Sequence, residues 1–335
     1  MANEELDSLT SNYYLSYDLD NETVLISKNS DKQISPASLT KIMTAILLYE
    51  KFPLANTHLI QFPSTYIYDG KVAYLNSGEY ITTEELLELL LIYSANDAAY
   101  ATALIVSESV DDFIDLMNTK ANLIGMTNTT FANPDGLDNK QHLTTIDDLL
   151  LLSKYTLLKT KLFDIFSKEY SYYKNLKFDS TNALLNENFS GIKTGWTSSA
   201  GLTFIGYNTS NNRKILTIVN NSLVNEDRDN HFKDTRLLYN YSINNFKNIE
   251  LLKAEDNLYN IQNYKNLTKV SLDFSLNTFG NIIYKYDFPI IELTENKFSL
   301  LFKNFDKTID LKVHKNNKIQ YIYNKKNNIF YNLFK

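Results

Sequence analysis

A serine three residues before a lysine, a second serine two residues before an asparagine, and a lysine-threonine-glycine string could together run an acyl transfer. They are Ser38-Leu39-Thr40-Lys41, Ser94-Ala95-Asn96 and Lys193-Thr194-Gly195. A serine hydroxyl is a poor nucleophile at neutral pH, so a base must take its proton. A lysine can be that base once burial or a neighbouring cation depresses its pKa. Ser38 is the candidate nucleophile and Lys41 its base. Lys193 is the candidate neighbouring cation and an anchor for a substrate anion, and Ser94 is placed to relay a proton.

These roles need elements to hold them. Pro36 precedes Ile42, Met43, Ala45, Ile46 and Leu47 at helical spacing, which predicts a helix with Ser38 at its N-terminus and Lys41 one turn on, on the same face. Backbone N–H groups and the positive end of the helix dipole would then lie where an oxyanion develops. In isolation the string reads first as an ordinary helix N-cap with a solvated lysine. Ser-x-x-Lys recurs at Ser171/Lys174 and Ser190/Lys193, and Ser-x-Asn at Ser27, Ser180, Ser210, Ser242 and Ser275, whereas Lys-Thr-Gly occurs once. Context favours the chemistry. Ser94 follows the run Leu86, Leu87, Leu89, Leu90, Leu91 and Ile92, entered through a capping-box pattern at Thr82 and Glu85. Small polar residues ending a buried helix point to a cleft.

Four longer strings, SPASLTKIMTA, YSANDAAYATAL, NLIGMTNTTFANPDGLD and GIKTGWTSSAGLTFIGY, run in that order from Ser35 to Tyr207. On them the chain resembles the low-molecular-mass penicillin-binding proteins of the serine D-alanyl-D-alanine carboxypeptidase family. The resemblance implies that Ser38 attacks the D-Ala-D-Ala peptide bond of peptidoglycan stem peptides and releases the terminal D-alanine, leaving an acyl-enzyme that water hydrolyses. It implies Lys41 as general base, Ser94 as relay to the leaving amine, and Asn96 as a partner of the substrate amide and of Lys41. It places Lys193 and Thr194 on an edge strand facing the terminal carboxylate, with Gly195 allowing close backbone approach. The oxyanion would sit on the backbone N–H groups of Ser38 and Trp196, and β-lactams would acylate Ser38. Two positions depart from the family pattern: Trp196 stands where His, Tyr or Phe is common, and His231 falls where an Arg is usual, with Arg228 nearby.

The chain has 335 residues, 44% of them hydrophobic, and a net charge of −6, which carries no nucleic-acid footprint. It has no cysteine, and His58, His142, His231 and His314 are dispersed, so no metal-ligand spacing exists and no cofactor is expected. The 24 Tyr and 19 Phe read as compositional drift rather than a binding surface.

The resemblance and the local patterns predict an α+β class: a penicillin-binding or β-lactamase-like fold, an antiparallel sheet with a helical cluster, followed by a small all-β domain. Strands are expected at 14–18, 24–27, 202–207 and 214–219, and helices before Ser94 and at 109–123, 146–158 and 232–246. The domain boundaries are read as 1–250, 251–324 and a tail at 325–335. Strand-length alternation at 269–276, 281–286, 297–302, 308–313 and 318–323 marks the second domain. The tail mixes Lys325, Lys326 and Lys335 with Ile329, Phe330, Tyr331, Leu333 and Phe334, as a membrane-surface helix or as a frayed terminus.

No signal peptide or membrane span is visible, and Met1-Ala2-Asn3-Glu4 is read as standing where an export signal has been removed. The family implies an extracytoplasmic location, in the periplasm or cell envelope, and a monomer. Two rival readings use the same residues. A class A-like β-lactamase needs a glutamate in the middle loop to activate the deacylating water, and TNTTFANPDGLDNK holds none. A non-catalytic wall-binding scaffold would keep the fold, but the full set of reactive side chains argues against it.

Overall fold

The three central strands of the main sheet bury side chains on both faces, which is why their sequences show little polar alternation. The computed structural model describes residues 6–210 and 213–249 and, beyond them, strands at 282–284, 290–294, 297–302, 307–313 and 319–323. The sheet holds β1 (Tyr13–Asp18), β2 (Thr23–Lys28), β7 (Lys193–Thr197), β8 (Gly201–Asn208) and β9 (Ile215–Ser222), all antiparallel in the order β2-β1-β9-β8-β7. All eight residues of β8 are buried. Leu15, Tyr17, Ile205, Tyr207, Leu216 and Ile218 turn to a core shared with the central helices. On the opposite face Phe204 meets Phe232, and Ser16 accepts from Ser242, both on α7 (Asn230–Asn245). The sheet is therefore sandwiched between helical layers.

The helical layer is α1 (Lys41–Lys51), α2 (Thr83–Glu88), α3 (Asn96–Val106), α4 (Val110–Ile124), α5 (Ile146–Lys159) and the short α6 (Phe163–Phe166). Local chemistry sets their ends. Thr82 and Glu85 form the predicted capping box at α2. Ser109 and Thr145 accept from the backbone of Asp112 and Asp148 at the starts of α4 and α5, and Gly125 closes α4 in the left-handed region. In α1, Ile42, Met43, Ala45, Ile46 and Leu48 are fully buried, each aliphatic side chain contributing about 1.5–3 kcal/mol. Two hairpins complete this unit, β3 (Thr57–Leu59) with β4 (Tyr80–Thr82), and β5 (Tyr170–Tyr173) with β6 (Leu176–Asp179).

One expected element changes form. The leucine-rich helix before Ser94 is regular only through Glu88; Leu89–Tyr93 widen into a π-helical turn, and Ser94 takes a left-handed conformation with φ +74°. Such turns release a helix abruptly and expose its last residues, as at many functional sites.

The chain divides into two compact units, Met1–Ser242 and Ile243–Lys335. In the second, β10 (Lys247–Ile249) pairs with β11 (Ile282–Tyr284). There β12 (Ile290–Thr294), β13 (Lys297–Phe302), β14 (Lys307–Val313) and β15 (Ile319–Tyr323) also form a four-stranded antiparallel meander. The strand expected at 269–276 and the tail at 325–335 lie outside the described residues. Among the described residues no helix is long and apolar enough to cross a membrane.

Candidate active site

Ser38 sits in a 3-10 turn, Ala37–Thr40, that runs directly into α1, so α-helical geometry starts at Lys41 rather than at the serine. Ala37 holds φ +49°, a left-handed backbone unusual outside glycine. Buried His142 fastens the turn. Its Nδ1 accepts from Ala132 N–H at 2.9 Å, so its Nε2 carries the hydrogen and donates to Thr40 Oγ1 at 2.7 Å. Thr40 in turn donates to the Ala37 carbonyl. Burial lowers the His142 pKa to about 4, which keeps the ring neutral in this role.

Lys41 is fully buried, and its ammonium donates to Ser38 Oγ at 3.0 Å, Asn96 Oδ1 at 2.6 Å and the Asp135 carbonyl at 2.6 Å. Three elements thus converge on one nitrogen: the turn before α1, the first residue of α3, and the loop between α4 and α5. Burial lowers its pKa to about 8; Asp135 and Asp97 pull the other way, and Lys71 adds to the lowering. At neutral pH roughly a tenth of Lys41 is then the free amine, a working fraction for a base.

The loop between α4 and α5 fits against the nucleophile's turn without clearance. Gly136 holds φ +90°, and a Cβ there would lie 1.9 Å from the Ala37 carbonyl oxygen. The preceding carbonyls are both engaged, Pro134 by Thr44 Oγ1 and Asp135 by Lys41.

The opposite wall is β7, an edge strand of the sheet. A Cβ on Gly195 would lie 3.0 Å from Ser38 N and 2.9 Å from Thr203 Cγ2, so glycine lets the strand reach the serine's backbone. Lys193 is buried, and the structure gives its ammonium one acceptor, the Thr194 carbonyl at 3.0 Å. Burial first, then the charges of Lys41 and Lys71, push its pKa well below the ordinary lysine value. Thr194 Oγ1 donates to Thr181 Oγ1 at 2.6 Å. Trp196, 43% exposed, forms a rim on which the Arg228 guanidinium lies 4.2 Å from the ring centroid.

The sequence-predicted residues thus gather at one place, with particular differences. Ser94 is buried beside this cluster, but its hydroxyl makes no hydrogen bond among those of the described residues, whereas Asn96 is fully committed in position. Asn96 accepts from Lys41, gives one N–H to the Asp69 carbonyl, and keeps a second N–H for another partner. Lys41 and Lys193 each disfavour the other's charged form, and Lys71, which the sequence did not suggest, is a further cation lowering Lys41.

The surroundings of His231 disfavour a protonated ring. The ring is buried against Phe232 and Phe204, its pKa is lowered by burial to about 4, and its Nδ1 has no partner among the described residues. Sequence reasoning missed Asp69, Lys71, His142 and the backbone of Asp135 and Gly136. Only the last pair left a signal, in the string ANPDGLD. Among the described residues no group of three or more His, Asp or Glu is arranged to hold a metal ion.

An α+β sandwich with a serine–lysine pair facing an edge strand is the fold and site of the penicillin-binding proteins. The chain belongs to the D-alanyl-D-alanine carboxypeptidase family of peptidases, whose model matches residues 1–223. It is 32% identical over 212 residues to the D-alanyl-D-alanine carboxypeptidase DacF of Bacillus subtilis, covering 60% of this chain and 54% of that protein, so it spans about half of that relative's length. A penicillin-binding protein of Listeria monocytogenes solved in its ampicillin-bound form is 29% identical with a TM-score of 0.63, over 70% of this chain and 98% of that one. A penicillin-binding protein of Escherichia coli superposes with a TM-score of 0.71 at 18% identity, over 95% of this chain and 96% of that one, and shares the fold.

Proposed function

We propose that this protein removes the terminal D-alanine from peptidoglycan stem peptides ending in D-Ala-D-Ala, through an acyl-enzyme on Ser38. The observation that carries the reading is the buried Lys41 ammonium, 3.0 Å from Ser38 Oγ, across from a buried Lys193 that has no carboxylate partner among the described residues. The free-amine form of Lys41 takes the Ser38 proton as Oγ attacks the carbonyl carbon of the scissile bond. The resulting oxyanion sits on the backbone N–H groups of Ser38 and Trp196. The proton passes by way of Ser94 to the leaving amine, the C–N bond breaks, and D-alanine departs. Water then attacks the Ser38 ester with Lys41 again as base, which restores the serine.

Asn96 positions Lys41 and turns its remaining N–H to the substrate amide. The terminal carboxylate meets Lys193 and Thr194, and Arg228 supplies a second cation at the Trp196 rim. A carboxylate brought beside Lys193 would favour its protonation, so substrate recharges its own anchor. β-Lactams acylate Ser38 by the same attack. A peptidoglycan substrate supports a location outside the cytoplasm, in the periplasm or cell envelope; the family resemblance supports a monomer, and the basic and aromatic residues of the C-terminal tail suit peripheral membrane contact.

The test is D-alanine release from a synthetic peptide ending in D-Ala-D-Ala, with Ser38→Ala alongside. Release that the substitution abolishes supports the reading. Absence of both release and penicillin labelling favours a scaffold, and β-lactam turnover outpacing release favours a β-lactamase. The middle loop hydrogen-bonds Lys41 through a backbone carbonyl and holds no glutamate, which favours the peptidase.

A further inference from the structure

Lys71, on the loop between β3 and β4, grips the segment that holds Ser94 from both ends. Its carbonyl accepts the Asn96 N–H at 2.7 Å, at the start of α3. Its ammonium lies over the Tyr93 ring, 3.9 Å from the centroid, in the last residue of the π-helical turn. Between these two contacts stands Ser94, whose left-handed backbone is one a serine seldom adopts unaided. The rest of the loop is tied to the same short stretch. Asn96 donates to the Asp69 carbonyl, and the Asp97 carboxylate accepts from Ala73 N–H and Leu75 N–H. No carboxylate pairs with Lys71 among the described residues, so the aromatic face is the partner that fixes its charge in place.

We propose that Lys71 is a positioning residue of this site, clamping Ser94-Ala95-Asn96 through its carbonyl and its Tyr93-bound ammonium and supplying a positive charge beside the nucleophile's base. The inference rests on the reading of Ser38 and Lys41 as nucleophile and base. The charge has a defined opposition. Lys41 is faced by Asp97 from α3 and Asp135 from the loop between α4 and α5, which favour its protonated form. Lys71 acts against them although burial lowers its own pKa; Lys193 on β7 is lowered by burial and by the charges of Lys41 and Lys71, and His142 is neutral. Removing the Lys71 charge leaves the two carboxylates unopposed, so Lys41 holds its proton to higher pH and the rising limb of acylation moves to higher pH.

The experiment is the rate of Ser38 labelling by a fluorescent penicillin as a function of pH, on the full chain, for the wild type, Lys71→Met, Lys71→Arg and Tyr93→Leu, with circular dichroism to verify folding. The backbone clamp survives every one of these substitutions, so they test the ammonium and its seat on the Tyr93 ring, and Lys71→Arg keeps the charge. In Lys71→Met the limb is expected to rise by about 0.5–1 pH unit, slowing labelling about 3- to 10-fold at pH 7 while leaving the plateau rate at high pH within about 2-fold. Lys71→Arg should restore the wild-type limb, and Tyr93→Leu should move it in the same direction as Lys71→Met. A folded Lys71→Met with an unmoved limb overturns the proposal, as does an Arg variant equally displaced. A wild type that takes up no penicillin at any pH overturns the reading of Ser38 itself, and the proposal with it. A Lys71→Met chain that fails to fold transfers the decision to Tyr93→Leu, where an unmoved limb has the same meaning.

Discussion

Lys41 and Lys193 are both buried lysines facing one cleft, yet the helical wall and the strand wall treat them in opposite ways. The helical wall surrounds Lys41 with three acceptors from three elements and sets the Asp135 and Asp97 carboxylates to oppose its desolvation, so burial lowers its pKa only to about 8. The strand wall offers Lys193 a single carbonyl and no carboxylate among the described residues, and burial with the charges of Lys41 and Lys71 pushes its pKa well below the ordinary lysine value. The difference teaches that burial depresses a lysine only as far as its acceptors and neighbouring carboxylates allow. A lysine with its acceptors built in can pass a proton back and forth near neutral pH. One left short of acceptors waits for an anion to complete it.

The comparison is broken most directly by Lys41→Met. Labelling of Ser38 is expected to slow by about 10²- to 10⁴-fold, and the fold to lose about 1–3 kcal/mol, because Asn96 Oδ1 and the Asp135 carbonyl lose their shared donor. Stopped-flow labelling and denaturant unfolding measure the two effects. Lys193→Met should fall on the other side: D-alanine release drops about 10- to 100-fold, mainly through KM, while unfolding becomes harder by about 1 kcal/mol or more. Equal destabilisation by both substitutions would erase the contrast between the walls.

Gly136→Ala tests whether the helical wall depends on the loop's fit. The methyl group meets the Ala37 carbonyl at a left-handed backbone, so a loss of about 2–4 kcal/mol and slower labelling are expected together. A thermal midpoint within a degree of the wild type would show that the loop gives way.

His231→Phe, behind the strand wall, should have the smallest effect at pH 7. The folded-state His231 pKa of about 4 lies below the unfolded value of about 6.5, so the unfolded chain binds more protons between those pH values. Stability is therefore lost as pH falls from about 6.5 toward 4, by up to about 3 kcal/mol for this ring. The Phe variant should unfold less readily at pH 5, keep labelling at pH 7, and be distinguished by urea midpoints measured at both pH values.

Much of the sandwich was legible because its signals are local. Thr82 with Glu85, Ser109 and Gly125 announce helix ends through contacts within four residues, and α4, α5 and α7 fall within a residue or two of their expected bounds. Ser38 and Lys41 were legible as a pair because three residues on a helical turn bring side chains together. The π-helical turn at Leu89–Tyr93 was not, since a run of leucines satisfies a regular helix equally well. Helix α3, the hairpins β3–β4 and β5–β6, and strand β12 carry weaker periodicity and went unmarked. Lys71 and His142 were invisible for another reason. Their meaning lies in Tyr93 and Thr40, partners that only the folded chain brings near, and no pattern along the sequence encodes such meetings.

The contact between Gly136 and Ala37 also has a mechanical side. Two surfaces that meet with no room for a methyl group have no free play, so the loop between α4 and α5 and the turn before α1 move as one piece. Pro134 and Asp135 fix that loop to α1 at two further points. A push applied to the exposed end of the loop, by a bound molecule or an altered residue such as Lys140, is therefore carried as a rigid lever to the serine rather than absorbed on the way.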